Sequence, residues 1–386
     1  MIADLHCHYP MHLVPKDSHP HKVSQSWWQA VKDAAEAEAT ELAARALNDE
    51  RWDDGWRVSL DGLVGGGARI VCSVLYWPAD EFTFEHTPVP ASFADLQQLL
   101  SFVEHDLKGR ADSQGETPVV VKAATDLDDA RRVAFVHCIE GGFHLGPDEE
   151  AVEANVAWLA GQGVLYITLA HLFFRGVAAN APAIPVLSDA EYMTVFPEQP
   201  GVGLTSLGEA AVRSMYRHKV LVDISHMRQD SIDDTFALIE RLDAESGADP
   251  HAYPVIATHE GMRDCNPDTQ TYNLTAETAT RIRGRGGVIG MIMAQHQLGD
   301  TTSAEDSQKL LARHIRAVMN VGDGLCAIGT DLDGFIRPTL TGLETASDLP
   351  VLEGWLRAEF PAEADAILYG NARALIQRVL AARSST

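Results

Sequence analysis

Histidines and carboxylates occur at the ends of short apolar segments of the chain, where a folded protein can hold side chains that bind a metal or move a proton. His6 and His8 lie two residues apart at the end of the first segment. Residues i and i+2 of a β-strand point to the same side, so both imidazoles could reach one metal ion. Later segments end in Glu140, His171, His226, His259 and Asp331. Histidine and carboxylate ligands without cysteine are typical of a catalytic zinc site.

Eight apolar segments rich in Val and Ile alternate with helix-like segments and must position these residues. They predict strands at Ile2–His8, Arg69–Trp77, Val133–Glu140, Val164–His171, Val220–His226, Pro254–His259, Gly287–Met293 and Leu325–Asp331. Such nearly continuous apolar runs indicate strands that are buried on both faces, as in a parallel sheet. Between them, Asp148 precedes one helical pattern, and Ser206 with Glu209 predicts a capping box at the start of another.

The alternation of eight strands with helices predicts an α/β fold, a (β/α)8 TIM barrel. A doubly wound open sheet is the alternative, but no Gly-x-Gly-x-x-Gly turn follows the first strand and no phosphate-binding loop is visible. Taken singly, each candidate residue could be an ordinary hydrogen-bonded side chain at a strand end. A barrel gathers its strand ends around one axis, and convergence of all of them favours a functional site.

Two connections are too long for simple strand-to-helix loops. Residues Tyr9–Gly67 follow the first strand, and residues Leu172–Thr205 follow the fourth. Because both follow strands, we expect them on the face where barrel enzymes carry their chemistry. We interpret them as walls or lids of a single domain that spans residues 1–386. Their aromatic residues include Trp27, Trp28, Trp52, Trp56, Phe173, Phe174, Tyr192 and Phe196.

The net charge of −25 argues against two classes of partner. A surface this negative repels phosphate backbones and anionic lipid, so neither nucleic acid nor a membrane is expected to bind. No segment approaches the roughly 20 apolar residues of a membrane span, and no signal peptide is recognisable. The five cysteines lack zinc-ribbon or redox spacing, which favours buried reduced thiols in a cytoplasmic protein. The expected partner is a small-molecule substrate, and a homodimer is compatible with the sequence.

The candidate residues and the segments around them occur in the same order along the chain as in the membrane (renal) dipeptidases, a branch of the metal-dependent amidohydrolase superfamily. The sequence therefore resembles that family. The resemblance runs from Asp4–His8 through Ala327–Gly334 to the tail Leu368–Leu375. Its most specific parts are the Val-Asp-Ile-Ser-His stretch that ends at His226 and the stretch that contains Asp331. The resemblance implies a (β/α)8 barrel with two zinc ions, bridged by a glutamate and a water, that hydrolyses peptide or other C–N bonds.

The resemblance also implies a ligand for each metal. Carried over residue by residue, His6 and His8 hold the first zinc ion, Glu140 bridges, and His226 with His259 holds the second. The family usually has aspartate where this chain has His8. Imidazole is also a good zinc ligand, so we expect the metal to stay, with one unit less negative charge around it.

Three residues are implied to act on the substrate. A hydroxide held between zinc ions that share Glu140 would attack an amide-type carbonyl. His171 matches the family histidine that lies over the carbonyl oxygen and polarises it. Asp331 matches the carboxylate that accepts the proton and returns it to the leaving nitrogen.

The loop after His259 departs from the family. The family places an arginine there that binds the terminal carboxylate of the substrate, and here the stretch reads Tyr272-Asn273-Leu274. Arg263 could replace that arginine, although a surface position for it is an equally open interpretation. The candidate substrate-binding residues are therefore His171, Arg263 and Tyr272. Whether the substrate has the terminal carboxylate of a dipeptide stays an open question.

The sequence favours a dipeptidase-like binuclear zinc hydrolase that cleaves a small amide. One alternative keeps the metal chemistry but applies it to a non-dipeptide amide, a lactone or an ester. An alternative of another class is a metal-binding barrel without catalysis. The joint presence of Glu140, His171 and Asp331 argues against that last alternative.

Overall fold

Parallel β-strands form one sheet in the computed structural model, which describes residues 1–14, 56–82, 93–111, 115–129, 131–185, 187–196, 201, 203–266 and 271–383. The strands of these residues are β1 (Ile2–Cys7), β2 (Ala68–Leu75), β3 (Val119–Val120), β4 (Ala134–Glu140), β5 (Tyr166–Thr168), β6 (Leu221–Asp223), β7 (Val255–Glu260), β8 (Ile289–Met291) and β9 (Cys326–Ile328). Every residue of β1, β4 and β7 is buried, as expected for strands covered on both faces.

The sheet closes on itself and confirms the predicted (β/α)8 barrel. Its strands follow the order β2-β1-β9-β8-β7-β6-β5-β4, and β2 pairs with β4 from Ile70 opposite Ala134 to Leu75 opposite Ile139. Each of the eight predicted strands corresponds to a strand of this barrel. The apolar pattern of the sequence did not predict β3, a two-residue strand that pairs with the beginning of β4.

Helices cover the outside of the barrel. The α-helices of the described ranges are Leu60–Gly65, Pro78–Glu81, Phe93–Gly109, Glu149–Gly161, Asp189–Val195, Ser206–His218, Gln229–Ser246, Ala276–Gly284, Gln295–Leu298, Ala304–Val321, Leu349–Glu359 and Asn371–Arg383. The Asp148 side chain caps its helix by accepting a hydrogen bond from the backbone N–H of Ala151. The capping box predicted at Ser206 is wrong by one residue, because Thr205 is the N-cap and Ser206 is the first helical residue.

Several candidate residues lie on turns just beyond the strands. His171, His226 and Asp331 follow the last residues of β5, β6 and β9, whereas the predicted strands continued as far as these residues. The backbone φ angles are +64° at His226 and +58° at Asp331. A strand cannot continue through such left-handed conformations, so neither His226 nor Asp331 can belong to one. The side chains nonetheless stay at the carboxyl ends of the strands.

The described part of the second long connection lies beside the turn after β6. The backbone N–H of Ala181 donates to the carbonyl of His226 at 2.7 Å, and that of Arg228 donates to the carbonyl of Ala179 at 2.9 Å. In the first connection, Trp27, Trp28 and Trp52 lie outside the described residues, and Trp56 is half-buried. The role of both connections as walls of the site, and their place in a single domain, stay predictions.

In the part of the chain that the structure describes, no helix is long and apolar enough to cross a bilayer. All five cysteines lie in that part, and each is buried without a disulfide bond. Burial of the thiols therefore agrees with the expectation from their scattered positions.

Candidate metal centre

Five imidazoles converge on one carboxylate at the carboxyl ends of the strands. The Nε2 atoms of His6, His226 and His259 lie 3.3, 3.5 and 3.6 Å from Glu140 Oε1, and those of His8 and His171 each lie 3.2 Å from Glu140 Oε2. All six side chains are buried. The structure therefore brings together every metal-ligand candidate of the sequence, around the residue expected to bridge.

Asp331 completes the cluster from the end of β9. Its Oδ1 atom lies 3.2 Å from His8 Nε2 and 3.8 Å from His6 Nε2. The left-handed backbone of Asp331 turns the carboxylate inward, and Gly334 leaves room for it, since a Cβ atom there would lie 1.8 Å from Asp331 Oδ1. Unfavourable backbone conformations of this kind concentrate at functional sites.

Three groups of side chains in the cluster could each hold a metal ion. They are His6 with His8 and Asp331, His6 with Glu140 and His259, and Glu140 with His171 and His226. The resemblance had paired His226 with His259, whereas these groups place His226 with His171 and add Asp331 to His6 and His8. Both assignments use the same cluster of residues.

The hydrogen bonding of the cluster fits a metal site. Within the described residues, both oxygens of Glu140, Oδ1 of Asp331 and Nε2 of His259 are buried and make no hydrogen bond. Buried polar atoms nearly always have a partner, so atoms left without one in a single place call for an explanation. Carboxylate oxygens and imidazole nitrogens are the donor set that zinc takes in catalytic sites.

Burial and neighbouring charges set the protonation of the cluster. Burial, together with the neighbouring histidines, lowers the pKa of His226 and His259 well below the usual value, so both imidazoles are neutral and can donate a lone pair. Burial alone would raise the pKa of Glu140, but His171 and His6 hold it well below the usual range. Burial alone would lower the pKa of His8, but the adjacent carboxylates of Asp331 and Glu140 raise it to about 10.

Hydrogen-bonded threonines and aspartates lie directly beneath the cluster. The Asp223 carboxylate accepts five hydrogen bonds, two of them from the hydroxyls of Thr168 at 2.7 Å and Thr258 at 2.6 Å. On the other side of the barrel, Asp4 accepts from the hydroxyl of Thr330 at 2.6 Å and from its backbone N–H at 2.9 Å. These bonds hold the strands that carry the ligands in register.

Sequence reasoning missed Glu81, which orients His171. Glu81 Oε2 lies 2.5 Å from His171 Nδ1 and accepts a hydrogen bond from the Tyr76 hydroxyl at 2.7 Å, while Oε1 accepts from the backbone N–H of Phe173 at 2.9 Å. Burial alone would lower the pKa of His171, but the charges of Glu140 and Glu81 raise it. The available signal was the acidic pair Asp80-Glu81, immediately after the second predicted strand.

Tyr272 lies beside the cluster, but its hydroxyl is already used. The hydroxyl donates to the backbone carbonyl of His259 at 2.9 Å, and the ring packs edge-on against His226 with 5.0 Å between centroids. The side chain is buried. Tyr272 therefore supports two of the candidate ligands in this structure.

Arg263 does not join the cluster. Its Nε atom donates to the carbonyl of Asn273 at 3.0 Å, and its Nη2 atom donates to the carbonyl of Thr271 at 2.8 Å. These two bonds fasten the loop after β7 to the guanidinium. In this structure Arg263 therefore stabilises the loop after β7 and makes no hydrogen bond to the imidazoles of the cluster.

Asp333, which follows Asp331 in the same stretch, has a different environment. Its carboxylate accepts from the backbone N–H groups of Val58 at 2.9 Å and Arg57 at 3.3 Å. It therefore ties the end of the first long connection to the turn after β9. Asp331, by contrast, is the member of this pair that faces the imidazoles.

Comparison of the sequence with known proteins identifies the family of this chain. The model of the membrane dipeptidase family, peptidase family M19, matches residues 57–384. An uncharacterised protein from the pqqA 5′ region of Klebsiella pneumoniae is 28% identical over 279 residues, which are 70% of this chain and 89% of that protein.

Two solved structures resemble the whole chain. Dipeptidase AC, a metallopeptidase of family M19, superposes with a TM-score of 0.66 at 19% identity and covers 98% of each chain. A Rhodobacter sphaeroides metallopeptidase, liganded with a phosphinate mimic of the dipeptide L-Ala-D-Ala, superposes with a TM-score of 0.65 at 20% identity and covers 98% of this chain and 99% of its own. At these identities, the likeness shows the shared barrel fold.

Proposed function

Because the chain belongs to the membrane dipeptidase family, and is therefore a metal-dependent hydrolase, we propose that it is a binuclear zinc enzyme that cleaves a small amide. The observation that carries the proposal is the Glu140 carboxylate, whose two oxygens face different imidazoles and make no hydrogen bond in the described part of the chain. A carboxylate in this position can bridge two ions. A non-catalytic barrel would not require Asp331 and His171 beside it.

We assign the ligands as follows. His8 and His6 would hold the first ion and His226 and His259 the second, with Glu140 shared between them; His8 lies beside Glu140 Oε2, whereas His6, His226 and His259 lie beside Oε1. Bound zinc ions supply Lewis acidity and lower the pKa of a bound water toward 7. Asp331, next to His8, is the carboxylate available near the first ion.

The chain's own residues then position the substrate and move the proton. His171, held at Nδ1 by Glu81, donates from Nε2 to the carbonyl oxygen and stabilises the charge that develops there. Asp331 accepts the proton of the attacking water and transfers it to the leaving nitrogen. Both side chains are buried, so competing water is largely excluded around them.

The substrate class we propose is a dipeptide or a closely related small amide. A relative of the same fold carries a dipeptide mimic as ligand. A second candidate is the same chemistry on a neutral amide, lactone or ester. It is favoured by one observation: the Tyr272 hydroxyl and the Arg263 guanidinium are already bonded to backbone carbonyls of this chain.

The test is a zinc titration followed by a substrate screen. The protein, supplemented with zinc and freed of excess, is expected to retain two equivalents and to hydrolyse at least one member of a panel of dipeptides, N-acyl amino acids and lactones. Zinc content near zero would overturn the binuclear proposal. A single equivalent would show that one of the two ligand pairs does not bind.

A further inference from the structure

The hydroxyl of Thr258 lies between a carboxylate and two candidate metal ligands. Thr258 Oγ1 is 2.6 Å from Asp223 Oδ2, 3.0 Å from His6 Nδ1 and 2.9 Å from His259 Nδ1. The hydroxyl has one hydrogen to donate, whereas its oxygen can accept from more than one donor. The direction of these three contacts therefore depends on where that single hydrogen points.

The surroundings of Asp223 decide the direction. Its Oδ1 accepts from the backbone N–H groups of Ser225 and Thr258, and its Oδ2 accepts from the hydroxyls of Thr168 and Thr258. An ionised carboxylate can only accept, so the hydrogen of Thr258 must point to Asp223. The oxygen of Thr258 is then left as an acceptor toward both imidazoles.

Tyr166 also requires His6 to be the hydrogen-bond donor. The Tyr166 hydroxyl donates to the carbonyl of Leu5 at 2.7 Å, and its oxygen lies 3.0 Å from His6 Nδ1. That oxygen is therefore also an acceptor toward His6. Both contacts of His6 Nδ1 require an N–H at that atom.

We propose that Asp223 is a positioning residue that, through Thr258, holds His6 and His259 in the tautomer with hydrogen on Nδ1. The Nε2 lone pairs of both rings are then directed at Glu140 Oε1, from 3.3 and 3.6 Å. The hydrogen bond at one imidazole nitrogen determines which nitrogen can bind a metal. This assigns a role to the aspartate of the Val-Asp-Ile-Ser-His stretch, and its link to metal binding rests on the proposed function.

Asp223→Asn is the sharpest variant because it reverses the direction of the hydrogen bonds. The backbone N–H groups at Oδ1 cannot become acceptors, so the amide NH₂ must occupy the position of Oδ2. It would donate to Thr258, whose hydrogen would then turn toward an imidazole. We expect hydrogen to move from Nδ1 to Nε2 on at least one of His6 and His259.

Thr258→Val and Thr168→Val form a matched pair. Each removes one hydroxyl that donates to Asp223 Oδ2, and Thr168, unlike Thr258, makes no side-chain hydrogen bond to an imidazole among the described residues. Loss of a partner behind a metal ligand typically lowers metal affinity about 10–100-fold. We expect that loss of zinc affinity in Thr258→Val and in Asp223→Asn. Thr168→Val should bind zinc nearly as wild type does, and Thr258→Ser should restore binding.

Two measurements carry the test. Imidazole ¹⁵N chemical shifts of the metal-free, ¹⁵N-histidine-labelled protein report the tautomers of His6 and His259, and chelator competition reports zinc affinity. Unchanged tautomers in both Asp223→Asn and Thr258→Val would overturn the proposal, as would equal losses of zinc affinity in Thr168→Val and Thr258→Val. A wild-type protein that binds no zinc would refute the proposed function, while the shifts of the metal-free protein would still decide the tautomers.

Discussion

Two layers of buried polar side chains lie one above the other at the carboxyl ends of the barrel, and they differ in how their hydrogen bonds are satisfied. The lower layer comprises Asp4, Thr168, Asp223, Thr258 and Thr330, whose side chains bond to one another or to the backbone. The upper layer comprises Glu140, Asp331 and the five histidines at positions 6, 8, 171, 226 and 259. Several of its buried atoms make no hydrogen bond within the described residues.

The difference separates residues that stabilise the fold from residues kept for a ligand. A buried polar atom without a partner costs about 1–3 kcal/mol. Such a cost in the upper layer is offset when a metal takes the lone pairs, whereas the lower layer is satisfied without any ligand. Substitutions in the upper layer should therefore change the metal content, whereas substitutions in the lower layer should change stability, except at Asp223 and Thr258, which position two of the imidazoles.

Glu140→Ala should have the largest effect on function. It removes the carboxylate that faces all five imidazoles, so the protein should lose most of its zinc and its hydrolytic activity. The matched change in the lower layer is Thr330→Val, which deletes the hydroxyl that bonds to Asp4. That variant should lose about 1–3 kcal/mol of stability, with its zinc content unchanged. Zinc analysis and chemical denaturation measure both quantities.

The distinction between the layers would be wrong if Glu140→Ala kept its zinc and Thr330→Val lost it. Zinc retained in Glu140→Ala would remove this residue from the bridging position. Zinc lost in Thr330→Val, with the fold intact, would mean that the lower layer supports the metals as directly as the upper one.

Asp331→Asn tests whether one member of the upper layer serves the proton rather than the metal. A general acid–base residue contributes roughly 10²–10⁴-fold to the rate, and we expect kcat to fall by that factor with both zinc ions retained. Steady-state kinetics and zinc analysis on the same sample provide the check. Loss of one zinc ion would instead make Asp331 a ligand, together with His6 and His8.

Glu81→Gln concerns a carboxylate that supports the upper layer from the side. The backbone N–H of Phe173 keeps the amide oxygen at the position of Oε1, so the amide NH₂ would face His171 Nδ1 and could not accept a hydrogen bond from it. We expect kcat to fall about 10–100-fold, with zinc content unchanged. Tyr76→Phe removes one neutral hydrogen bond to the same carboxylate and should have a smaller effect. If Glu81→Gln retained wild-type kcat, orientation of His171 by Glu81 would not matter to the reaction.

The upper layer could be predicted from the sequence because its signals are local. Each of its residues lies at the end of a recognisable apolar strand, and a barrel brings such ends together. Glu81 could not be placed in this way. It reaches His171 only because the loop after β2 folds against the turn after β5, where Phe173 also bonds to it.

One residue of the lower layer, Asp223, belongs to a motif that the sequence analysis recognised, but its hydrogen bonds could not be predicted from that motif. The sequence showed the aspartate and histidine of Val-Asp-Ile-Ser-His, whereas the direction of the hydrogen bonds around Thr258 depends on strands that are distant in sequence. Helix starts were predictable to within one residue, as the shift of the N-cap from Ser206 to Thr205 shows. Neighbouring Thr and Ser are both good N-caps, so local sequence alone does not choose between them.

The smallest expected effect concerns recognition of a substrate carboxylate beside the upper layer. A dipeptide and its C-terminal amide differ only in that group, which a guanidinium would bind through two charge-assisted bonds. In this structure, two bonds to loop carbonyls hold the Arg263 guanidinium in its loop, and the Tyr272 hydroxyl already donates its one hydrogen to the carbonyl of His259. We therefore expect similar kcat/KM for the two substrates, within the ~10-fold that one neutral hydrogen bond can contribute.

Arg263→Ala should leave the ratio of the two rates unchanged, with Tyr272→Phe as its control. A strong preference for the free acid that disappears in Arg263→Ala would show that the loop rearranges and that Arg263 binds the carboxylate. The same preference surviving both substitutions would place carboxylate recognition elsewhere in the chain and return the dipeptide to first place among the substrates.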